Sequence, residues 1–220
     1  MIRTLLLDLD GTLADTAPDL AAALNRTLEE AGRPPLPFER IRPVVSHGGR
    51  ALLRLGFGVT GEEPEYAALR GRFLDHYQRD IALHTRLFPG MEELLAAIEA
   101  ARLNWGVVTN KPSWLTDPLL AALGLTGRAA TVVSGDTLAV NKPDPAPMLH
   151  ACREAGSAPG ECLYLGDAER DVQAGRNAGM RTLVALFGYL GEEDDPANWG
   201  ADGLVHEPAE VLGWIDRFAA

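Results

Sequence analysis

The sequence has little basic charge for its size. Of 220 residues, 20 are Lys or Arg and 31 are Asp or Glu, so the formal net charge is -11. Nucleic acids and anionic membranes bind basic surfaces, and this balance argues against either as the main partner. A small anionic substrate is still allowed, because a bound metal and a few local cations can reverse the field at one pocket.

Cysteines and long apolar runs are also scarce. The only two cysteines, Cys152 and Cys162, lie in different predicted elements and have no histidines at ligand spacing. They indicate neither a disulfide framework nor a zinc site, and we expect two reduced thiols. No apolar run reaches membrane-spanning length, and no signal region with a small-residue cleavage site precedes the first predicted strand. We therefore expect a cytoplasmic protein.

The remaining composition is that of a globular domain, with 46% hydrophobic and 23% charged residues. Apolar runs predict strands at 4–10, 104–109, 130–134, 162–166 and 181–186. Helical patterns predict helices at 17–31, 91–101, 114–123, 146–155, 169–178 and 208–218, and helical segments alone between 38 and 83. We therefore predict an α/β fold, a doubly wound parallel sheet interrupted after its first strand by an all-helical insertion.

This pattern also predicts the domain organisation. Residues 1–15 and 88–220 are assigned to the α/β core domain, and residues 16–87 to the helical domain. The chain passes between the two domains at 15–18 and at 84–90, where we expect the helical domain to pivot.

Four short segments carry candidate chemistry, and three of them follow apolar runs. They are Asp8-Leu9-Asp10-Gly11-Thr12-Leu13, Val107-Val108-Thr109-Asn110, Lys142-Pro143, and Leu165-Gly166-Asp167 with Asp171 beyond. Ligands of open parallel sheets bind beyond the carboxyl ends of the strands, so these polar residues should become neighbours. Clustered carboxylates repel one another unless they bind a cation, and Mg²⁺ prefers such oxygen ligands.

In order and chemistry, the four segments resemble the motifs of the haloacid dehalogenase-like (HAD) hydrolase superfamily, across residues 5 to 171. The resemblance implies a Rossmann-like core with a helical cap. It also implies that Asp8 is a nucleophile that forms an aspartyl-phosphate, and that Asp10 is the general acid and base. Dehalogenases of the superfamily lack an aspartate at the position of Asp10, so phosphoryl transfer is favoured over carbon-halogen cleavage.

The same resemblance assigns the other site residues. The Asp8 carboxylate, the Asp10 backbone carbonyl and Asp167 would bind Mg²⁺, while Asp171 would either orient metal-bound waters or only decorate its helix. Thr109 would donate its hydroxyl to a phosphoryl oxygen, and Lys142 would offset negative charge that develops during transfer.

Substrate contacts are expected around a second group of residues. Backbone N–H groups from Asn110 onward, and Lys111 as a second cation, would lie near the phosphate and its leaving group. In the loop Ser46-His47-Gly48-Gly49-Arg50, Arg50 would either pair with a substrate carboxylate or sugar substituent or simply lie at the surface, and His47 is a weaker candidate.

Further segments resemble one subgroup of the superfamily, the phosphoglycolate phosphatases. These segments are 10–19, 88–90, 109–112 and 141–145. Segments 105–112 and 198–202 are also similar to N-acetylmuramic acid 6-phosphate phosphatases of that subgroup. The pattern departs at 133–137, where relatives often carry a second aspartate.

We therefore expect a Mg²⁺-dependent phosphatase that acts on a small phosphorylated metabolite, as a monomer or small homo-oligomer. The first candidate reaction converts 2-phosphoglycolate to glycolate and phosphate. The alternative substrate is N-acetylmuramic acid 6-phosphate. A β-phosphoglucomutase-type isomerase and a non-catalytic scaffold are less favoured, because every catalytic position that the resemblance maps is chemically intact.

Overall fold

A computed structural model describes residues 1–218 of the chain, and its centre is a parallel β-sheet. The six strands of this sheet are β1 (Thr4–Leu7), β4 (Asn104–Val108), β5 (Thr131–Val133), β6 (Cys162–Gly166), β7 (Arg181–Ala185) and β8 (Gly203–Val205). Their order is β5-β4-β1-β6-β7-β8, and every neighbouring pair is parallel. The predicted α/β fold with a doubly wound sheet is confirmed.

Helices cover both faces of the sheet, which explains why its central strands are apolar throughout. These helices are α5 (Met91–Ala100), α6 (Ser113–Ala122), α7 (Ala146–Glu154), α8 (Glu169–Asn177) and α9 (Glu210–Arg217). In β1, Leu5 and Leu7 belong to one core cluster and Leu6 to the cluster on the other face, and all three are fully buried. This alternation is the two-residue period of a strand.

The register of the central strands places the polar segments at one edge of the sheet. Leu7 of β1 lies opposite Val107 of β4 and Leu165 of β6. Because these strands run parallel, the residues that follow them leave the sheet side by side. Residues 8–10, 109–111 and 167–171 therefore meet beyond the carboxyl ends of β1, β4 and β6.

The insertion after β1 is helical, as predicted. It contains α1 (Ala17–Glu30), α2 (Phe38–Ile41), a 3₁₀ helix (Arg42–His47), α3 (Gly48–Phe57) and α4 (Tyr66–Arg79). Leu24, Leu53, Phe73 and Tyr77 of the insertion are buried, and they belong to the same apolar cluster as Leu5 and Leu7 of β1. This cap lies over the sheet edge that carries the polar segments, and Ser46 of the cap contacts Asp167 of the core.

A two-stranded antiparallel ribbon lies where the chain passes between core and cap, and the sequence did not predict it. Its strands are β2 (Ala14–Asp15) and β3 (Arg86–Leu87). Asp19 of α1 ties the two passages together, because its carboxylate accepts hydrogen bonds from the backbone N–H groups of His84 and Thr85 and from the Thr85 hydroxyl. Strands this short carry too few residues for a period-two pattern.

Two further differences concern strands. The first strand ends at Leu7 rather than at residue 10, because the Asp8 and Leu9 carbonyls accept turn bonds from the Leu13 and Ala14 N–H groups. The aspartates therefore lie in a turn after the strand. The three-residue strand β8, which pairs with β7, was also missed.

The two cysteines are free thiols and both are buried, with 3.3 Å between their sulfur atoms. They were expected in separate elements, and they do lie on α7 and β6, which pack together. Among residues 1–218, no helix combines the length and the apolar character that crossing a bilayer requires.

Candidate active site

Asp8 lies beside a buried lysine at the end of β1. Oδ1 of Asp8 is 2.9 Å from Nζ of Lys142 and accepts a hydrogen bond from the Leu9 N–H group at 2.7 Å. Burial raises the pKa of Asp8 to about 6, although the Lys142 ammonium acts to lower it. The sequence placed these residues in one site, and the structure brings them into direct contact.

Lys142 is held by more than Asp8. Its ammonium lies 2.7 Å from Oδ1 of Asp171 and donates a hydrogen bond to the Tyr164 hydroxyl, which donates to the Val108 carbonyl. Burial acts to lower the pKa of Lys142, but the Asp171 and Asp8 carboxylates outweigh it and raise that pKa. The side chain is thus a fixed cation between two acids, and Asp171 contacts it directly.

Asp167 lies on the other side of the acidic cluster. Its Oδ2 accepts hydrogen bonds from the Ser46 hydroxyl at 2.6 Å and the Tyr189 N–H group at 2.8 Å. Its Oδ1 is buried and has no hydrogen-bond partner among the described residues. Burial and the charges of Asp8 and Asp171 raise the pKa of Asp167 to about 7.

These three carboxylates could hold a metal ion. One oxygen from each of Asp8, Asp167 and Asp171 lies within 4.8 Å of the others. A hard divalent cation fits this cluster, because all the donor atoms are oxygens. It would also stabilise the ionised form of the two carboxyl groups with raised pKa values and give the buried Asp167 oxygen a partner. The carboxylate of Asp10 is not part of this cluster, and the metal contact predicted for its backbone carbonyl stays a prediction.

The turn at Gly11 brings the backbone close to this cluster. Gly11 has φ +84°, and a Cβ atom there would lie 2.0 Å from Oδ2 of Asp167. Only glycine combines this left-handed conformation with such a close approach.

The Asp10 carboxylate makes a separate set of contacts. Oδ1 of Asp10 accepts hydrogen bonds from the Thr16 hydroxyl at 2.6 Å and from Nζ of Lys111 at 2.8 Å. Thr16 occupies the N-cap position of α1, but its hydroxyl binds Asp10 and does not cap the helix. The Lys111 ammonium also lies 4.6 Å from the centre of the Tyr77 ring, which belongs to the cap.

Thr109 and Asn110 follow β4 into the site with different roles. Thr109 is buried, and its hydroxyl oxygen accepts a hydrogen bond from the Lys111 N–H group. The Asn110 side chain binds the backbone of Lys142 twice, since it donates to the Lys142 carbonyl at 3.1 Å and accepts from the Lys142 N–H group at 3.0 Å. Asn110 therefore positions the lysine segment.

A cavity of about 450 Å³ lies between the sheet edge and the cap. Its core side is formed by Asp8, Asp10, Thr109, Asn110, Lys111, Lys142 and Arg170. Its cap side includes Ser46, His47, Arg50 and one face of α4. Acidic and basic side chains of the core thus line one end of the cavity, and cap residues line the other end. A cavity of this size with charged groups at one end suits a small charged ligand.

Arg50 lines this cavity, but its guanidinium is already engaged, because Nε donates to the Thr60 carbonyl at 2.5 Å. His47 also lines the cavity and is exposed. The roles assigned to both residues from the sequence stay predictions. In the segment 133–137, the Asp136 carboxylate accepts hydrogen bonds from the N–H group and hydroxyl of Ser113, the first residue of α6.

Sequence reasoning missed four residues of the site. They are Ser46 as a partner of Asp167, Tyr164, Tyr77, and Arg170, which donates to the Ser46 carbonyl. The rarity of lysine in the sequence is a further signal for this site. The chain has only two lysines, Lys111 and Lys142, and both lie in this site.

Comparison with known proteins agrees with this geometry. The sequence model of the haloacid dehalogenase-like hydrolases matches residues 5–185. The chain is 44% identical over 216 residues to an N-acetylmuramic acid 6-phosphate phosphatase of Pseudomonas aeruginosa, covering 98% of this chain and 96% of the relative. It is also 44% identical over 209 residues to a phosphoglycolate phosphatase of Xylella fastidiosa, covering 94% of this chain and 90% of the relative.

The fold gives the same result. The crystal structure of a predicted phosphoglycolate phosphatase from Haemophilus somnus superposes with a TM-score of 0.87 at 27% identity, covering 97% of both chains. A match over most of the chain, with relatives this similar along nearly their whole length, confirms the family suggested by the sequence motifs. The chain belongs to the haloacid dehalogenase-like hydrolases.

Proposed function

We propose that the protein is a Mg²⁺-dependent phosphatase that hydrolyses a small phosphate monoester through an aspartyl-phosphate on Asp8. The observation that carries this proposal is the contact between Asp8 and the buried Lys142 on the floor of the cavity. A carboxylate next to a fixed cation can approach an anionic phosphate, which would otherwise repel it.

The proposed reaction has two steps. An oxygen of Asp8 attacks phosphorus, the bond from phosphorus to the ester oxygen breaks, and Asp10 gives a proton to the leaving oxygen. Asp10 then takes a proton from water, which attacks phosphorus and releases phosphate and the Asp8 carboxylate. Both hydrogen bonds to the Asp10 side chain go to Oδ1, which leaves Oδ2 for proton transfer.

Other residues of the site support these steps. Lys142 would offset charge on the phosphoryl oxygens, while Asp171, Tyr164 and Asn110 hold the lysine in place. The Thr109 hydroxyl would donate to a phosphoryl oxygen. Lys111 would keep Asp10 oriented from the side of the leaving group.

We further propose that Mg²⁺ binds between Asp8 and Asp167, with the Asp10 backbone carbonyl as a third ligand. When bound, the ion would neutralise charge on the phosphate and bring it to the nucleophile. Two observations support this assignment. One oxygen of Asp167 has no hydrogen-bond partner, and the backbone at Gly11 approaches Asp167 so closely that only glycine fits there. Asp171, which contacts Lys142, would act outside the set of direct ligands.

The domain assignment is part of the proposal. Residues 1–15 and 88–220 would form the core and residues 16–87 the cap, with the β2–β3 ribbon at the pivot. Cap closure would exclude water, which strengthens the electrostatic interactions inside the site. The hydrogen bond from Ser46 to Asp167 would then be one that forms on closure.

The test of this function is the release of phosphate from p-nitrophenyl phosphate with and without Mg²⁺. We expect Mg²⁺-dependent turnover by the wild type and a loss of about a thousandfold or more in Asp8→Asn, which cannot act as a nucleophile. Asp216→Asn, a change of the same kind at an exposed residue of α9, is the matched control. Equal turnover by wild type and Asp8→Asn would rule out the nucleophile assignment.

The first candidate substrate is 2-phosphoglycolate, the substrate in the names of several relatives. The second is N-acetylmuramic acid 6-phosphate, named for two relatives that are 44% and 45% identical over 98% of this chain. Both are phosphate monoesters that carry a carboxylate. They differ in the distance between that carboxylate and the phosphate.

A further inference from the structure

One face of α4 forms a wall of the active-site cavity. The residues that line it are Tyr66, Arg70, Phe73, Leu74 and Tyr77, whose spacing puts them on one side of the helix. Arg72 lies on the same helix but does not line the cavity. The wall therefore consists of two tyrosines, of which Tyr77 is fully buried, apolar side chains and one exposed guanidinium.

This wall runs away from the reacting centre. At one end the Tyr77 ring lies 4.6 Å from the Lys111 ammonium, which binds Asp10. Arg70 precedes Tyr77 by seven residues, which corresponds to about 10 Å along the helix axis. Beyond the site of phosphoryl transfer, the cavity thus extends by about the length of a sugar ring with one substituent.

Arg70 differs from the other cations of the cavity in having no partner. Within residues 1–218 it makes no ion pair and no side-chain hydrogen bond. The other four cations are all engaged: Arg50 with the Thr60 carbonyl, Lys111 with Asp10, Lys142 with Asp8 and Arg170 with the Ser46 carbonyl. A free guanidinium on a cavity wall is suited to a planar anion, above all a carboxylate.

The Tyr77 hydroxyl is also without a partner. It is buried and makes no hydrogen bond, which costs folding free energy. Burial raises the pKa of Tyr77 to about 12, although the nearby Lys111 ammonium acts to lower it, so the hydroxyl keeps its proton at neutral pH. It can therefore donate to an oxygen of the leaving group near the phosphate.

These contacts distinguish between acids of different length. In a two-carbon phosphate acid the carboxylate lies one carbon from the ester oxygen, so it would stay at the Tyr77 end of the wall. A sugar phosphate with an acidic ether substituent has its carboxylate on the far side of the ring. Only the longer acid can place phosphorus at Asp8 and a carboxylate at Arg70.

On the basis of the proposed phosphatase function, we infer that the leaving group is a sugar-sized acid, that Arg70 binds its carboxylate, and that the Tyr77 hydroxyl binds an oxygen close to the ester. Arg70 is then a specificity-determining residue, and it contributes through binding. It lies too far along α4 from Lys111 to take part in the chemical steps.

The experiment compares kcat/KM of wild type, Arg70→Gln and Arg72→Gln with Mg²⁺. The substrates are N-acetylmuramic acid 6-phosphate, N-acetylglucosamine 6-phosphate, which lacks the lactyl carboxylate, and 2-phosphoglycolate. Both variants lose one exposed positive charge from α4, but only residue 70 lines the cavity. The p-nitrophenyl phosphate assay gives the basal phosphatase activity.

We expect the wild type to prefer the acidic sugar. Arg70→Gln should lower kcat/KM for that substrate by about tenfold, mainly through KM, and change the sugar without carboxylate by less than about twofold. Arg72→Gln should have the same kcat/KM as the wild type for all three substrates. A preference for 2-phosphoglycolate, or an equal effect of Arg70→Gln on both sugars, would overturn the inference while leaving the phosphatase function intact. Absence of hydrolysis of every ester would overturn both.

Discussion

Nζ of Lys142 lies 2.9 Å from Oδ1 of Asp8, and the lysine side chain is only 1% exposed. The same ammonium lies 2.7 Å from Oδ1 of Asp171, whose side chain is fully buried. A buried cation between two buried acids has two consequences. It lowers the electrostatic cost of bringing an anionic substrate to Asp8, and it makes the folded state depend on the lysine.

Replacement of Lys142 by Met should therefore affect both activity and stability. We expect kcat to fall by about a hundredfold to a thousandfold, because one preorganised charge at the phosphoryl group is lost. We also expect the unfolding free energy to fall by about 3–5 kcal/mol, because two acids are left buried without their cation. Phosphate release and urea unfolding measure the two effects.

The double variant Lys142→Met with Asp171→Asn separates these effects. Removing the second acid relieves part of the charge imbalance, so stability should recover in part relative to Lys142→Met alone. Activity should not recover, because the Lys142 ammonium is still missing from its place beside Asp8. A double variant that regains both would mean that Lys142 serves folding only.

The raised pKa values of Asp8 and Asp167 predict how stability depends on pH. In the metal-free protein these values are about 6 and about 7, against an ordinary 3.8 for aspartate. Between pH 4 and 7 the folded state therefore holds protons that the unfolded chain has released. The unfolding free energy contributed by these groups falls as pH rises through this window. As proposed, Mg²⁺ would bind the deprotonated groups, so it should raise Tm more at pH 7.5 than at pH 5.5.

Asp167→Asn provides the reference for this measurement, because an amide does not titrate. In EDTA, the Tm of the wild type minus that of the variant should decrease as pH rises from 5 to 7.5, since both proteins must ionise Asp8 but only the wild type must also ionise Asp167. The extra stabilisation by Mg²⁺ at the higher pH should be largely lost in the variant. A difference in Tm that stays constant across this range would contradict the shift at Asp167.

The sequence was sufficient to predict where the reacting groups lie, because their position depends on a simple rule. Apolar runs mark parallel strands, and polar residues after such runs gather at one edge of the sheet. Asp8, Thr109 and Asp167 follow that rule, and the structure brings them together. Their predicted chemical roles rest on the family resemblance and stay proposals.

Contacts between the cap and the core could not be predicted in the same way. Ser46 reaches Asp167 across 121 positions of sequence, and Tyr77 of α4 packs on Lys111, which lies in the loop between β4 and α6. No local period or motif encodes such pairs, since they depend on how the cap sits on the sheet. The same limit applies to the Thr16 hydroxyl, which binds the Asp10 carboxylate and does not cap α1.

The close approach of Gly11 to Asp167 predicts a strong effect of a single methyl group. In Gly11→Ala, the new Cβ atom would meet Oδ2 of Asp167 in a backbone conformation that alanine adopts only with strain. We expect kcat/KM to fall by about a hundredfold, because displacement of Asp167 or of the turn disturbs the geometry of the site. Mg²⁺-dependent turnover and thermal unfolding measure the effect.

Gly124→Ala is the matched control, because Gly124 has a similar φ of +73° but no atom within 4 Å of an added Cβ. It should show the cost of backbone strain, roughly 1–2 kcal/mol, and no loss of kcat/KM. If both variants lose the same stability and neither loses activity, the approach of residue 11 to Asp167 has no functional role.

The unpartnered hydroxyl of Tyr77 predicts that its removal will not destabilise the protein. Tyr77→Phe keeps the ring over Lys111 and removes only a buried group without a hydrogen bond, so Tm should stay equal or rise. Tyr189→Phe is the contrast, because its hydroxyl donates to Asp15 and accepts from the Ala17 N–H group, and this change should cost about 1–2 kcal/mol.

Enzyme kinetics complete the test of Tyr77. If the hydroxyl serves the leaving group, Tyr77→Phe should lower kcat/KM for a phosphorylated acidic sugar several times more than for p-nitrophenyl phosphate, whose leaving group has no hydroxyl or carboxylate substituent to accept the bond. Removal of this one hydroxyl group would then maintain or raise Tm and lower kcat/KM. A fall in Tm comparable to that of Tyr189→Phe, with equal losses on both substrates, would show that the hydroxyl has a structural partner and no role in specificity.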